Sequence, residues 1–164
     1  MRAIVGPDGI FTFRNEIFQA AIGRGGVRVD KREGDGATPV GVLPLRTVLY
    51  RPDRGITPVC AVAVRAMARD DGWCDDPADR AYNRHVRLPS GASAEALWRD
   101  NAVYDIVGVL GWNDSPVRPG LGSAIFLHVV RPDYAPTDGC VALAVSDLRR
   151  VLAMGLTGLE VRPD

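Results

Sequence analysis

The sequence predicts a mostly β fold, a sandwich or barrel-like domain with two short helices, and three observations carry that prediction. Short stretches of β-branched or alternating apolar residues recur along the 164 residues, separated by clusters of Gly, Pro and Asp. Eighteen Gly and twelve Pro are many for this length and suit a loop-rich sheet better than a helical bundle. Only two segments, SAEALWRD and SDLRRVLAMG, read as helices. A hydrophobic fraction of 46% with 24% charged residues is that of an ordinary globular chain. Residues 1–164 fit one domain, large enough to bury a core without metal or disulfide staples.

The elements follow in order. RAIV, GIFTF and FQAAIG are short strands between turn residues. Residues 23–45, GRGGVRVDKREGDGATPVGVLPL, are too rich in glycine for a helix and form a long ordered loop that re-enters a strand near Leu43. Loops of that length inside compact domains are usually functional. In KREGDGATP, a role in fold and groove shape is expected: Gly34 and Gly36 supply positive φ and Pro39 sets the turn, with Lys31 structural rather than catalytic. PLRTVLY and VCAVAV read as strands, and residues 69–91 form a second long irregular stretch. SAEALWRD is a short helix with Ser93 as its N-cap. AVYDIVGVLGW and SAIFLHVV are apolar enough to lie centrally in a sheet. In SDLRRVLAMG, Ser146 caps, Leu148, Val151 and Leu152 share a face, and Gly155 stops the helix. GLEVRP closes the sheet, and no repeat or linker interrupts the chain.

Twenty basic residues balance twenty acidic ones, intermixed, which leaves no electrostatic footprint for nucleic acid or an anionic membrane. No apolar run approaches the length needed to enter and span a bilayer. The opening MRAIVGPDGIF lacks the basic, apolar and small-residue order of an export signal.

Three cysteines and two histidines leave few candidates for nucleophilic chemistry. Cys60, in PVCAVAVR, reads as a small buried hydrophobe. Cys74, in DDGWCDDP, sits among aspartates that disfavour a thiolate. Whether these two pair as a disulfide is open. Cys140, in TDGCVAL, follows a glycine that leaves room for substrate and lets backbone N–H groups face a developing oxyanion. It comes twelve residues after His128, with two prolines and a glycine between them, the makings of a loop that doubles back. Spacing alone still leaves packing the commoner role for such a Cys and His. His85 lies between basic residues in a loop, and a zinc site from Cys74, His85, His128 and Cys140 lacks any compact CxxC or HxxxH element.

The segment IFLHVVRPDYAPTDGCVAL resembles the active-site region of YkuD-type L,D-transpeptidases: a strand-end His, a loop, then Ser/Thr-x-Gly-Cys and an apolar residue. DKREGDGATPVGVLPL is similar to a second hallmark of that family. DGWCDDPADRAYNRHVRLP and YDIVGVLGWNDSPVRPGLGSAIFLH extend the likeness to small stand-alone members, over residues 20–162. The resemblance implies the family's β-sandwich or barrel-like catalytic fold and cross-linking of peptidoglycan stem peptides, without a cofactor or metal. Cys140 is implied as nucleophile and His128 as general base, with the N–H groups of Gly139 and Cys140 as oxyanion hole and a main-chain carbonyl as orienting group. A His⁺ beside the thiol would lower its pKa. Trp73, Tyr82, Asn83, Asn113, Arg131, Thr137 and Asp138 are candidates for substrate contact, Arg131 and Asn113 toward carboxylates. Asp138 has to point away from the thiol. Ala142 departs from the pattern, since many members carry Arg or Asn two residues after the cysteine. That departure opens the choice between 3,3 and 1,3 cross-links. Hydrolytic relatives and a non-catalytic peptidoglycan-binding domain are the alternatives. Diaminopimelate-containing donor and acceptor peptides are the expected partners, a monomer the expected state, and the periplasm or cell envelope the expected location.

Overall fold

The structure is a computed structural model that describes residues 1–163. Strands β1 (Arg2–Val5), β2 (Ile10–Phe13) and β3 (Glu16–Ala21) form an antiparallel meander. Alternation places Ala3, Val5, Phe11, Phe13, Phe18 and Ala20 inside, while Ile4, Ile10 and Ile17 stay exposed. Two residue pairs, β4 (Val27–Arg28) and β5 (Thr38–Pro39), fold the glycine-rich loop back on itself in parallel. The longest strand, β6 (Gly41–Tyr50), is joined on its second half by β7 (Val64–Ala66).

A separate small sheet follows: β8 (Asp71–Cys74) lies between β9 (His85–Arg87) and β10 (Ala94–Ala96). The chain then re-enters the main sheet through β11 (Ile106–Leu110), β12 (Phe126–Val129) and β13 (Val141–Leu143). Helix α1 (Val145–Ala153) and β14 (Gly158–Val161) complete it. The main sheet runs β11-β12-β13-β3-β2-β1-β14-β6-β7, and β6 also pairs with β11. That last pairing closes the sheet into a barrel-like ring with β7 outside it, the mostly β, barrel-like fold expected. β6 can serve both neighbours because Gly41–Pro44 pair with β14 and Leu45–Tyr50 with β11, with a register shift at Val109/Leu110.

The core fills the ring, and α1 adds Leu148, Val151 and Leu152 to it. Leu148 and Leu152 are essentially fully buried, so truncating either to Ala removes about 2–5 kcal/mol. No helix among the described residues is long and apolar enough to cross a membrane.

Three expectations need correction. The described residues form one helix, not two: SAEALWRD supplies β10, because Ala94, Glu95 and Ala96 pair with Cys74, Trp73 and Gly72. Eight residues are too few to hold a helix against an available strand edge. The strand read at VCAVAV lies later, at Val64–Ala66, where alone β6 offers partners, and Val59 is 70% exposed. Ser146 does not cap α1. The helix starts at Val145 after Ala144, with no side-chain cap and with Asp147 in the first turn, while Gly155 (φ +91°) follows the C-cap as expected.

Candidate active site

β12 and β13 run parallel, with Leu127 opposite Val141 and His128 opposite Ala142. Side chains alternate along a strand, so Cys140, two residues before Ala142, lies on the same face as Ala142 and His128. Cys140 and His128 both line one cleft of about 360 Å³. Topology thus does what twelve residues of sequence separation only suggested: two adjacent strands carry the pair to one wall.

The Cys140 thiol donates to the Ala124 carbonyl (3.2 Å) and accepts from the Phe126 N–H (3.3 Å). Burial, and then the negative charge of Glu95, pushes this thiol up to about 12. His128 is equally buried, with Nδ1 2.9 Å from the Val129 carbonyl. That acceptor assigns the proton to Nδ1 and leaves Nε2 with a lone pair. Burial drives the imidazole down to about 4, against the raising effect of the Val129 carbonyl. The expected His⁺ beside the thiol is therefore absent at rest. Desolvation penalises both charged forms, so the pair is thiol and neutral imidazole, and no hydrogen bond joins them among the described residues.

The loop before Cys140 is fixed from behind. Gly139 has φ +128°, and a Cβ there would meet the Ala37 carbonyl oxygen at 2.8 Å. Only glycine fits both conditions. Thr137 Oγ1 donates to the Cys140 carbonyl (2.7 Å) and accepts from the Gly139 N–H (3.2 Å). Thr137 also exchanges backbone hydrogen bonds with Ile22 and Arg24. The glycine-rich loop is itself tied by Lys31, which is 4% exposed and pairs with Asp35 at 2.5 Å. Asp35 in turn accepts from the Arg32 and Ala37 N–H groups. Since the Gly139 N–H is engaged by Thr137, the Cys140 N–H is the freer oxyanion donor: it has no partner among the described residues.

The seven candidates for substrate contact divide. Arg131, Thr137 and Asp138 line the cleft. Asp138 points to solvent, 88% exposed, and pairs with Arg24 at 2.9 Å. Trp73, Tyr82, Asn83 and Asn113 lie outside the cleft lining and tie loops together. The Trp73 indole N–H donates to Asn83 Oδ1 (3.0 Å), and its ring meets Phe126 edge-on at 5.3 Å. Asn83 (φ +56°) donates to the Trp112 and Asn113 carbonyls (2.8 and 2.9 Å). Buried Tyr82 donates to Glu33 and accepts from the Gly122 N–H (3.0 Å). Asn113 (φ +48°) donates to the Arg118 and Gly122 carbonyls (2.9 and 3.0 Å).

Sequence reasoning missed Glu95, Arg99 and Tyr104. The Tyr104 ring stands edge-on to His128 (5.2 Å) and to Phe126 (5.8 Å), and its hydroxyl donates to Glu95 Oε1 (2.6 Å). Arg99 reaches the same oxygen (2.6 Å) and covers the Tyr104 ring at 4.4 Å. Burial raises the Glu95 carboxyl. Glu95 and Arg99 lie in the segment read as a helix, and nothing in its sequence points to their meeting at Tyr104. All three thiols are free, so Cys60 and Cys74 form no disulfide. Among the described residues, no three His, Cys, Asp or Glu side chains converge as metal ligands would.

The family model for the L,D-transpeptidase catalytic domain, YkuD, matches residues 5–162. The chain belongs to the YkuD family. That span takes in the small sheet, both walls of the cleft and all of the barrel-like ring except the first residues of β1. YkuD domains are typically cysteine-dependent enzymes acting on peptidoglycan, and in this one Cys140 is the cysteine of the cleft. No curated protein matches the chain.

Proposed function

We propose that the protein is a peptidoglycan L,D-transpeptidase that works through a thioester on Cys140. The observation that carries this reading is the placement of Cys140 and His128 on one face of adjacent parallel strands in a cleft, with His128 Nδ1 held by a carbonyl. The Nε2 lone pair takes the thiol proton as sulfur bonds to the scissile carbonyl carbon of a stem peptide. The Cys140 N–H faces the developing oxyanion. Collapse breaks the C–N bond, the imidazolium returns its proton to the leaving amine, and a thioester remains. The amine of a second stem peptide attacks the thioester, gives up a proton to Nε2, and releases the thiol with a new amide formed. Because both resting groups are neutral, proton transfer and attack are coupled to substrate binding, which replaces the water that stabilises neither ion in the buried site.

Arg131 at the cleft rim and Arg99 within it suit the carboxylates of diaminopimelate and D-Ala. Ala142, fully buried beside His128, leaves the cleft wall without the Arg or Asn of many relatives, and Arg99 brings a guanidinium from another element instead. Such a substitution changes which bond is presented, so 1,3 cross-links stand beside 3,3. The substrate places the action in the cell envelope, on the periplasmic side in a Gram-negative cell.

Purified protein incubated with disaccharide tetrapeptides and analysed by mass spectrometry tests the reading. Cross-linked dimers, absent with Cys140→Ala, support transfer, and fragmentation assigns 1,3 or 3,3. Trimmed monomers alone indicate a hydrolase using the same pair. Products equal in the parent and Cys140→Ala proteins leave only a binding role.

A further inference from the structure

The cleft holds a carboxylate that none of the described residues engages. Asp75 directly follows β8, and its N–H donates to the Ser93 carbonyl (3.2 Å) just ahead of β10. Glu95 pairs with Trp73 across the two strands, so Trp73, Asp75 and Glu95 share one face. Both carboxylates line the cleft. Glu95 is occupied by Tyr104 and Arg99. Asp75 is not: its side chain has no hydrogen bond or ion pair among the described residues, and Oδ1 is wholly enclosed.

A second group points the same way. Ser123, only 9% exposed, lines the same cleft next to Ala124, whose carbonyl accepts the Cys140 thiol. Among the described residues its Oγ makes no hydrogen bond of normal geometry, and the neighbouring Tyr82 hydroxyl is already engaged by Glu33 and the Gly122 N–H. Two enclosed, unsatisfied acceptors in one cavity cost stability unless an occupant satisfies them.

Charge names the occupant. Of the cleft's other carboxylates, Asp138 is paired with Arg24, Glu33 accepts from Tyr82, and Glu95 holds Arg99. Asp75 is the uncompensated one. A primary ammonium, with three N–H donors on a compact head, answers a carboxylate and a hydroxyl together.

We propose that Asp75 and Ser123 form an ammonium subsite that binds the protonated primary amine of a stem peptide's diamino acid. The proposal rests on the stem-peptide reading above and adds how the cleft selects such a peptide.

Calorimetry on the Cys140→Ala protein tests this with a diaminopimelate tetrapeptide and the same peptide acetylated on its side-chain amine. The free amine is expected to bind at least tenfold more tightly, and Asp75→Asn in the same background to bring it to the level of the acetylated peptide. Equal binding of the two peptides overturns the proposal, as does a preference that survives Asp75→Asn. A chemical-shift titration with lysine methylamide separates this from the functional reading. Asp75-dependent shifts without tetrapeptide binding keep the subsite and refute the stem-peptide role. Tetrapeptide binding and turnover with no amine preference do the reverse.

Discussion

β12 and β13 are buried at every position, whereas β9 and β10 contain no buried residue at all. The first pair belongs to the barrel-like ring and holds its shape by apolar packing, and it carries His128 and leads in from Cys140. The small sheet is held by charge. Asp71, fully buried, receives Arg65, Arg87, His85 and the Ala68 N–H, and Glu95 gathers Arg99 and Tyr104. The difference assigns work: the apolar wall fixes the reacting pair in register, and the polar sheet faces it with groups that a substrate can engage. If this division is right, substitutions in the wall abolish chemistry, and those in the small sheet alter stability or selection.

The largest expected effect is that of Cys140→Ala, a loss of at least about a thousandfold in turnover with the fold retained. Loss of turnover is read from muropeptide products, and retention of the fold from circular dichroism. The same variant carries a pH signature. The folded thiol is held up to about 12, whereas the unfolded one ionises near 9, so the native form loses stability as pH rises through that window. Thermal melts should show a steeper alkaline decline in the parent than in Cys140→Ala. Identical slopes would mean that the wall does not desolvate the thiol.

His128→Ala should lower kcat/KM by about 10²–10⁴-fold. The pH dependence is the more discriminating measurement. The folded imidazole sits at about 4, below the ordinary 6.5 of the unfolded chain, so the unfolded state binds more protons between them. Stability present above pH 6.5 is lost as pH falls toward 4, on the order of 3 kcal/mol in all. A His128→Gln protein should lose that part of the acid slope. In the free enzyme, the acid limb of kcat/KM should follow the displaced imidazole rather than an ordinary one. An acid limb centred near 6.5 would place His128 in contact with water.

Asp71→Asn probes the other side of the contrast. Burial alone would raise this carboxyl, but hydrogen bonds from Arg65, the Ala68 N–H and His85 outweigh it and hold it down at about 2. Its stabilisation is present above about pH 3.8 and lost as pH falls through 2. Arg65 and Arg87 are exposed enough to turn to water, so the cost falls on the weakened hydrogen bonds at the buried Asp71 position, about 1–3 kcal/mol. Hydrogen exchange should accelerate in β8, β9 and β10 and stay unchanged in β12 and β13. Uniform acceleration would show that the two sheets unfold as one unit.

The same contrast explains what could be read in the sequence. The ring was legible because apolar alternation in RAIV and GIFTF and the continuous apolar run of SAIFLHVV report burial directly, and the Gly-Cys pair reports a tight loop. The small sheet was not, because its cohesion comes from pairings such as Asp71 with Arg87 and His85, sixteen and fourteen residues apart, which leave no period. SAEALWRD, with Ser93 in capping position, read as a helix, and Tyr104 lay within a stretch read only as a strand. Trp73, Tyr82, Asn83 and Asn113 drew attention as polar or aromatic loop residues, and the structure uses their hydrogen-bonding capacity on neighbouring backbone and side chains instead.

The smallest effect belongs to the residue that touches both regions. Tyr104 stands edge-on to His128 through its ring and donates to Glu95 through its hydroxyl, so Tyr104→Phe keeps the first contact and deletes the second. Glu95 retains Arg99, which limits the loss to one hydrogen bond to a carboxylate, about 1–2 kcal/mol. In kcat/KM the effect is at most roughly a factor of ten, with the acid limb unmoved because the ring still shields His128. A fall as deep as that of His128→Ala would require the hydroxyl to act on the reacting atoms themselves. The small sheet would then share in the chemistry, and the boundary between wall and sheet would have to be redrawn at Tyr104.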